Sequence, residues 1–128
     1  GEMRGQGDDL MRVPKKGEIW HVDPDPTKGS KLRQPHYFIV VTDELLNRAL
    51  GTALCCPIST GGKAARSQNV TVALEGNSTA SGTITGVILC HQVRALDLAA
   101  HQAKFATIAE DYLIEEVVMK LVDLIDPQ

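Results

Sequence analysis

Tyr37-Phe38-Ile39-Val40-Val41-Thr42 decides how this chain is read. Six consecutive β-branched or aromatic residues are too few for a buried helix, and an unbroken apolar run of this length fits a strand covered on both faces. The stretches on either side follow from that choice. Upstream, Gly17-Glu-Ile-Trp-His-Val alternates and predicts a first strand over 17–22, stopped by Pro24 and Pro26. Residues 25–36, Asp-Pro-Thr-Lys-Gly-Ser-Lys-Leu-Arg-Gln-Pro-His, then join the two strands. That loop is too long for a tight hairpin and carries Lys28, Lys31 and Arg33. It reads either as a loop that closes over a ligand or as a solvated connector.

Downstream, Asp43-Glu-Leu-Leu-Asn-Arg-Ala-Leu offers an N-cap and one or two helical turns closed by Gly51. Thr52-Ala-Leu-Cys-Cys-Pro-Ile predicts a third strand, whose Pro57 implies an edge or a bulge. Asn69-Val-Thr-Val-Ala-Leu predicts a fourth. A single long fifth strand is expected over 83–94, bent at Gly86. After a short strand at 103–107 the period changes. Ile114, Val117, Val118, Leu121 and Leu124 or Ile125 recur at helical spacing, with Thr107-x-x-Glu110 as a capping box and Pro127 beyond the last turn. The fold class expected is α+β, mainly β: a small, strongly bent antiparallel sheet or barrel with a short helix and a C-terminal helix.

Composition bounds the function. In 128 residues, 43% hydrophobic and 23% charged, there is room for one domain with a real core. Residues 1–13 are expected to be a disordered or expression-derived tail, and 14–128 the single domain. No run approaches the roughly 18 apolar residues of a membrane span, so no membrane association is expected. Net charge is −3, which argues against indiscriminate nucleic-acid binding. The charge is nevertheless segregated: Lys28, Lys31, Arg33, Arg48, Lys63 and Arg66 lie in one stretch, whereas residues 110–126 hold six carboxylates against Lys120. Cys55, Cys56 and Cys90 lack C-x-x-C spacing and are expected to be reduced core residues, Cys55 and Cys56 on opposite faces of their strand. That favours a cytoplasmic protein with no metal and no cofactor.

The polar clusters sit at strand ends: Glu18; 28–36; Ser59, Thr60, Gly61 and Gly62; and His91, Gln92 and Arg94. In a small barrel such ends converge on a shared mouth. His21, inside the first strand, and His101, in a late loop, read as structural. Arg94 is open to two readings, a site residue or a salt-bridge partner of Asp97 or another nearby carboxylate, and Glu18 likewise is either a ligand contact or the partner of a loop lysine.

Four segments in register, Gly17-Glu-Ile-Trp, Asp25-Pro-Thr-Lys-Gly-Ser, Pro57-Ile-Ser-Thr-Gly-Gly and Leu89-Cys-His-Gln-Val-Arg-Ala-Leu-Asp, resemble the MazF/PemK toxins of bacterial toxin–antitoxin modules. The resemblance runs from about Lys16 to Ile125. It implies a small SH3-like or CcdB-like antiparallel barrel, a homodimeric, metal-independent endoribonuclease that cuts single-stranded mRNA at short sequences, and a cognate antitoxin whose acidic, disordered tail blocks the RNA groove. Without a metal, the substrate's 2′-hydroxyl attacks phosphorus in line and leaves a 2′,3′-cyclic phosphate and a 5′-hydroxyl. The enzyme supplies a base, an acid and donors to the phosphoryl oxygens.

Two positions depart from the family pattern. The Arg-Pro pair that commonly opens the second strand is His36-Tyr37 here, with Arg33 and Pro35 just upstream. The arginine and aspartate that flank a cysteine in one branch, and act there as acid and base, are Leu89 and His91. The resemblance therefore assigns His91 as general acid or base and Arg33 or His36 as the stabiliser of phosphoryl charge. Ser59 and Thr60 become phosphate donors, and Glu18, Lys28, Ser30, Lys31, Lys63, Arg66, Gln92 and Arg94 RNA contacts. The alternatives are a same-fold protein-binding toxin, such as a gyrase poison working through its C-terminal helix, and a relative that binds RNA or antitoxin without cutting.

Overall fold

The computed structural model describes residues 12–22, 36–60 and 69–127. Within them lie β1 (Glu18–Val22), β2 (His36–Val40), α1 (Glu44–Leu50), β3 (Ala53–Ser59), β4 (Thr71–Leu74), β5 (Gly86–Leu89), β6 (Arg94–Leu96), β7 (Lys104–Ile108) and α2 (Asp111–Ile125). The sheet order is β4-β5-β3-β2-β1-β7, with β6 on the lower half of β3, and every pairing is antiparallel.

The expected class stands, but the barrel is not closed by a ladder. Among the described residues the two ends of the sheet are linked through the isolated bridge Thr79–Ala109, beside which Ala80 N–H donates to Ile108 O at 2.9 Å. A register shift between Ile19 and Trp20 against β7 bends the sheet at that end.

Alternation divides the sheet residues between two cores. Ile19, Ile39, Cys56, Ile58, Val72, Leu74, Ile88 and Cys90 lie beneath Leu113, Ile114 and Val117 of α2. On the reverse face Trp20, Val22, Phe38, Val40, Ala53 and Cys55 pack with Leu96 and Leu98. The run that decides the reading is thus covered on both sides, as expected of an unbroken apolar strand. Cys55 and Cys56 fall in different cores, and all three thiols are free and buried.

Three local expectations change. The long fifth strand breaks: β5 ends at Leu89, Cys90–Gln92 form a 3-10 turn, and the chain resumes as β6 lower on β3. The cause is packing, since Cys90 is fully buried and its amide still donates to Val70 O at 2.9 Å, so the chain can leave the ladder only after it. Pro57 is not at an edge. It sits opposite Phe38 in central β3, where the outer ladder is interrupted between Ile58–Ile88 and Cys55–Arg94, and the missing N–H costs no regular bond there.

Nor does the capping box form. Thr107 belongs to β7 and its Oγ1 accepts from Ser81 N–H at 3.1 Å, while Glu110 is the N-cap of α2 without a side-chain cap bond. For α1, Asp43 and Gly51 take the predicted cap positions; Gly51, at φ 77°, donates to Asn47 O.

Candidate functional site

Side chains at strand positions two apart share a face, so Pro57 and Ser59 point away from Cys56 and Ile58 and from α2. Ser59 is paired with Val87, and Leu89 follows on the same face of β5; β4 adds Thr71 and Ala73 opposite Leu89 and Val87. On the lower half of this face the small Trp20 core covers the sheet. On the upper half Pro57, Ser59, Val87, Leu89 and Thr71 are only half-buried and Ala73 is exposed. An open apolar strip with a hydroxyl at one end is the result.

Gly86 keeps that end in shape. At φ +153° it lets the backbone cross so close to Ser59 that a Cβ would lie 2.2 Å from the Ser59 carbonyl oxygen. Continuing the β2–β3 register past Tyr37–Ile58 puts the backbone of His36 opposite Ser59. The His36 side chain lies outside what is described, as do Lys28, Ser30, Lys31, Arg33, Lys63 and Arg66.

The far end of the strip belongs to the 3-10 turn. His91 and Gln92 are exposed beyond Leu89, and Arg94, paired with Cys55, is exposed on the strip's face. Ser59 pairs with Val87, the second residue of β5, and His91 lies two residues past its last, Leu89, in the 3-10 turn, so four residues of chain separate Val87 from His91. A polymer laid along β5 would pass both. Thr60, exposed, follows Ser59.

Arg94 has no ion pair among the described residues. Asp97, its suggested partner, instead accepts from Ala100 N–H at 3.0 Å and closes a turn. His21 packs edge-on against Tyr37, ring centroids 5.2 Å apart, and His101 is exposed in the turn after β6.

Glu18 is only 2% exposed. Its Oε1 accepts from Lys15 N–H at 3.0 Å and Trp20 Nε1–H at 3.1 Å, and its Oε2 from Arg12 Nη2 at 2.7 Å. The Arg12 guanidinium in turn lies 4.4 Å from the Phe105 ring and 5.7 Å from that of Trp20. Glu18 thus pins the entering chain rather than facing the strip. Arg12 is a residue that sequence reading passed over, because no local pattern announces a pair six residues apart.

A cleft of about 590 Å³ opens where β4 meets α2, lined by Asn69, Thr71, Ala73, Val87, Glu116 and Lys120. It adds both charge signs beside the strip. No group of three or more metal-ligating side chains gathers among the described residues, and no described helix is long and apolar enough to cross a membrane.

Known proteins resemble the chain along nearly its whole length. It is 31% identical over 107 residues to Endoribonuclease PemK of Escherichia coli, covering 84% of this chain and 78% of that protein. It is 33% identical to Endoribonuclease toxin ChpB of Escherichia coli strain K12, over 84% and 90% of the two chains. The fold superimposes on MazE–MazF from Deinococcus radiodurans with a TM-score of 0.72 at 21% identity, covering 91% and 98%. A mycobacterial endoribonuclease in complex with its cognate antitoxin matches at a TM-score of 0.67 and 12% identity, covering 88% and 94%. Residues 15–125 match the family described as the PemK-like, MazF-like toxin of type II toxin–antitoxin systems, and the chain belongs to that family.

Proposed function

We propose that this protein is a toxin endoribonuclease that cleaves single-stranded mRNA without a metal, by attack of the 2′-hydroxyl and release of a 2′,3′-cyclic phosphate and a 5′-hydroxyl. The observation that carries this reading is the open strip of Pro57, Ser59, Val87 and Leu89, bounded by Ser59 and Thr60 at one end and by His91, Gln92 and Arg94 at the other. Half-buried apolar side chains give bases a floor, and the flanking donors and cation suit a phosphodiester backbone.

In this scheme His91 acts as general acid or base. Leu89 supplies no proton, so the second proton-transfer group comes from elsewhere, and Arg33 or His36 stabilises the phosphoryl charge. Ser59 and Thr60 donate to phosphate oxygens; Gln92 and Arg94 hold the RNA with Lys28, Ser30, Lys31, Lys63 and Arg66. The separation of Ser59 from His91 suits a substrate several nucleotides long, which a sequence-selective nuclease requires. A cognate antitoxin would compete through an acidic tail for the same cations.

A homodimer completes the reading. Exposed Leu45, Leu46 and Leu50 of α1, with Leu54 of β3, form apolar surface available to a second copy. A protein-binding toxin is favoured by one feature, the exposed Met119, Val122 and Ile125 on α2.

Incubating the purified protein with a long RNA in EDTA separates these readings. Discrete fragments with cyclic phosphate ends support the nuclease. Intact RNA across a range of sequences sinks it and leaves the binding toxin.

A further inference from the structure

Cys56 and Cys90 stand in a relation that the proposed mechanism does not use. The β3–β5 register pairs Ile58 with Ile88, and continued past that last pair, two residues back along β3 and two forward from β5, it places Cys56 opposite Cys90. Both belong to the core beneath α2 and both are fully buried. The Cys90 amide donates to Val70 O, away from β3, so on the β3 side the pair occupies a non-hydrogen-bonded position. Opposed residues at such positions have Cα atoms about 4.5 Å apart and their side chains closest. That separation falls inside the range of about 4.4–6.8 Å that a disulfide spans.

We propose that Cys56 and Cys90 are a dithiol that closes to a cross-strand disulfide under hydrogen peroxide, fastening to β3 the 3-10 turn that carries His91 and Gln92. Cys55, one residue away but in the opposite core, takes no part. The reactive one of the two is identified by its surroundings. The Cys56 thiol donates to Cys90, which holds the Cys90 thiol below its ordinary range, helped by Lys120; Cys56 is itself pushed up by that bond and by burial.

The Cys90 thiolate attacks one peroxide oxygen, the O–O bond breaks, and hydroxide leaves with the proton that Cys90 released. Cys56 sulfur then displaces hydroxyl from the Cys90 sulfenic acid, its own proton departing with that hydroxyl as a second water. Two electrons pass from the thiols to peroxide. Peroxide is close to water in size and reaches the pair when the chain opens locally around the turn. Like other disulfides, the bridge is broken by thiol exchange with an added dithiol.

The test uses the full chain treated with hydrogen peroxide and analysed by intact mass and tryptic mapping. The expected product weighs two hydrogens less, joins peptide 49–63 to peptide 67–94, and returns to the starting mass with dithiothreitol. Because 49–63 holds both Cys55 and Cys56, the Cys55→Ala variant settles which is linked: the bridge must survive in it. Amide exchange in residues 91–93 should slow at least about threefold in the oxidised protein, a readout independent of any RNA cleavage. Sulfinic acid at Cys90 without a bridge, a link through Cys55, or three unmodified thiols while Met119 is oxidised would each overturn the proposal.

Discussion

Arg12 Nη2 lies 2.7 Å from Glu18 Oε2, and the same carboxylate accepts from the Trp20 indole and the Lys15 amide. A buried carboxylate with three donors anchors the chain's entry into β1. Glu18→Ala orphans all three donors and is expected to cost about 3–5 kcal/mol, whereas Arg12→Ala leaves two of them satisfied and, with Arg12 partly exposed, costs about 1–2 kcal/mol. Urea unfolding of both variants and of the double variant checks the order; equal costs would mean that the carboxylate is not the hub.

Gly86 governs the ladder next to Ser59. Gly86→Ala adds a Cβ 2.2 Å from the Ser59 carbonyl oxygen at a φ that side chains rarely adopt, so a loss of on the order of 3 kcal/mol is expected. Thermal unfolding measures it, and amide spectra should place the disturbance at residues 58–60 and 86–88.

His91 and Arg94 are exposed, so their removal should leave the fold intact. His91→Ala is expected to lower RNA cleavage by about 10²–10⁴-fold with unchanged thermal unfolding. Undiminished cutting would remove His91 from the mechanism. Arg94→Ala should instead weaken binding of a non-cleavable RNA and flatten its salt dependence by about one phosphate contact, with little change in the site cut.

The α2 core is tightly packed. Leu113 is fully buried among Ile19, Ile39 and Val117, and Leu113→Ala should cost about 2–5 kcal/mol. Val122→Ala, at an exposed position of the same helix, should stay within about 0.5 kcal/mol. Similar losses in the two would mean that the exposed stripe is covered in solution.

Burial pushes the Cys55 thiol from its ordinary 9.0 up to about 12. A raised folded-state value means that between these limits the native chain holds a proton that the unfolded chain has released. Cys55 therefore leaves stability unaffected below about pH 9 and erodes it as pH rises toward 12. Denaturant midpoints from pH 8 to pH 10.5 should fall more steeply in the native sequence than in Cys55→Ala; parallel lines would show that other groups set the slope.

Much of the fold was legible because its signals are local. The run at 37–42, the Asp43 and Gly51 caps and the spacing of Ile114, Val117, Val118 and Leu121 each announce one element. The long strand expected over 83–94 failed for a non-local reason: nothing near Cys90 says that its side chain is buried under α2 while the chain behind it must reach β6. Pro57 misled in the same way, since a gap in a neighbouring ladder leaves no mark on the strand that faces it. In the candidate site, Ser59, His91 and Arg94 were singled out as polar residues at strand ends, but the strip of Pro57, Val87 and Leu89 between them became visible only when register put the three on one face. Arg12 left no trace at all, because its partners come from β1 and β7.

The sheet parts two cores, and the peptide bond between Cys55 and Cys56 runs from one to the other. Adjacent residues are thereby reporters of separate compartments. The rate at which a small thiol reagent captures Cys55 times the opening of the layer around Trp20, Phe38 and Leu98, while capture of Cys56 times the lifting of α2. Measured in one peptide, the two rates would tell which side of this toxin comes apart first.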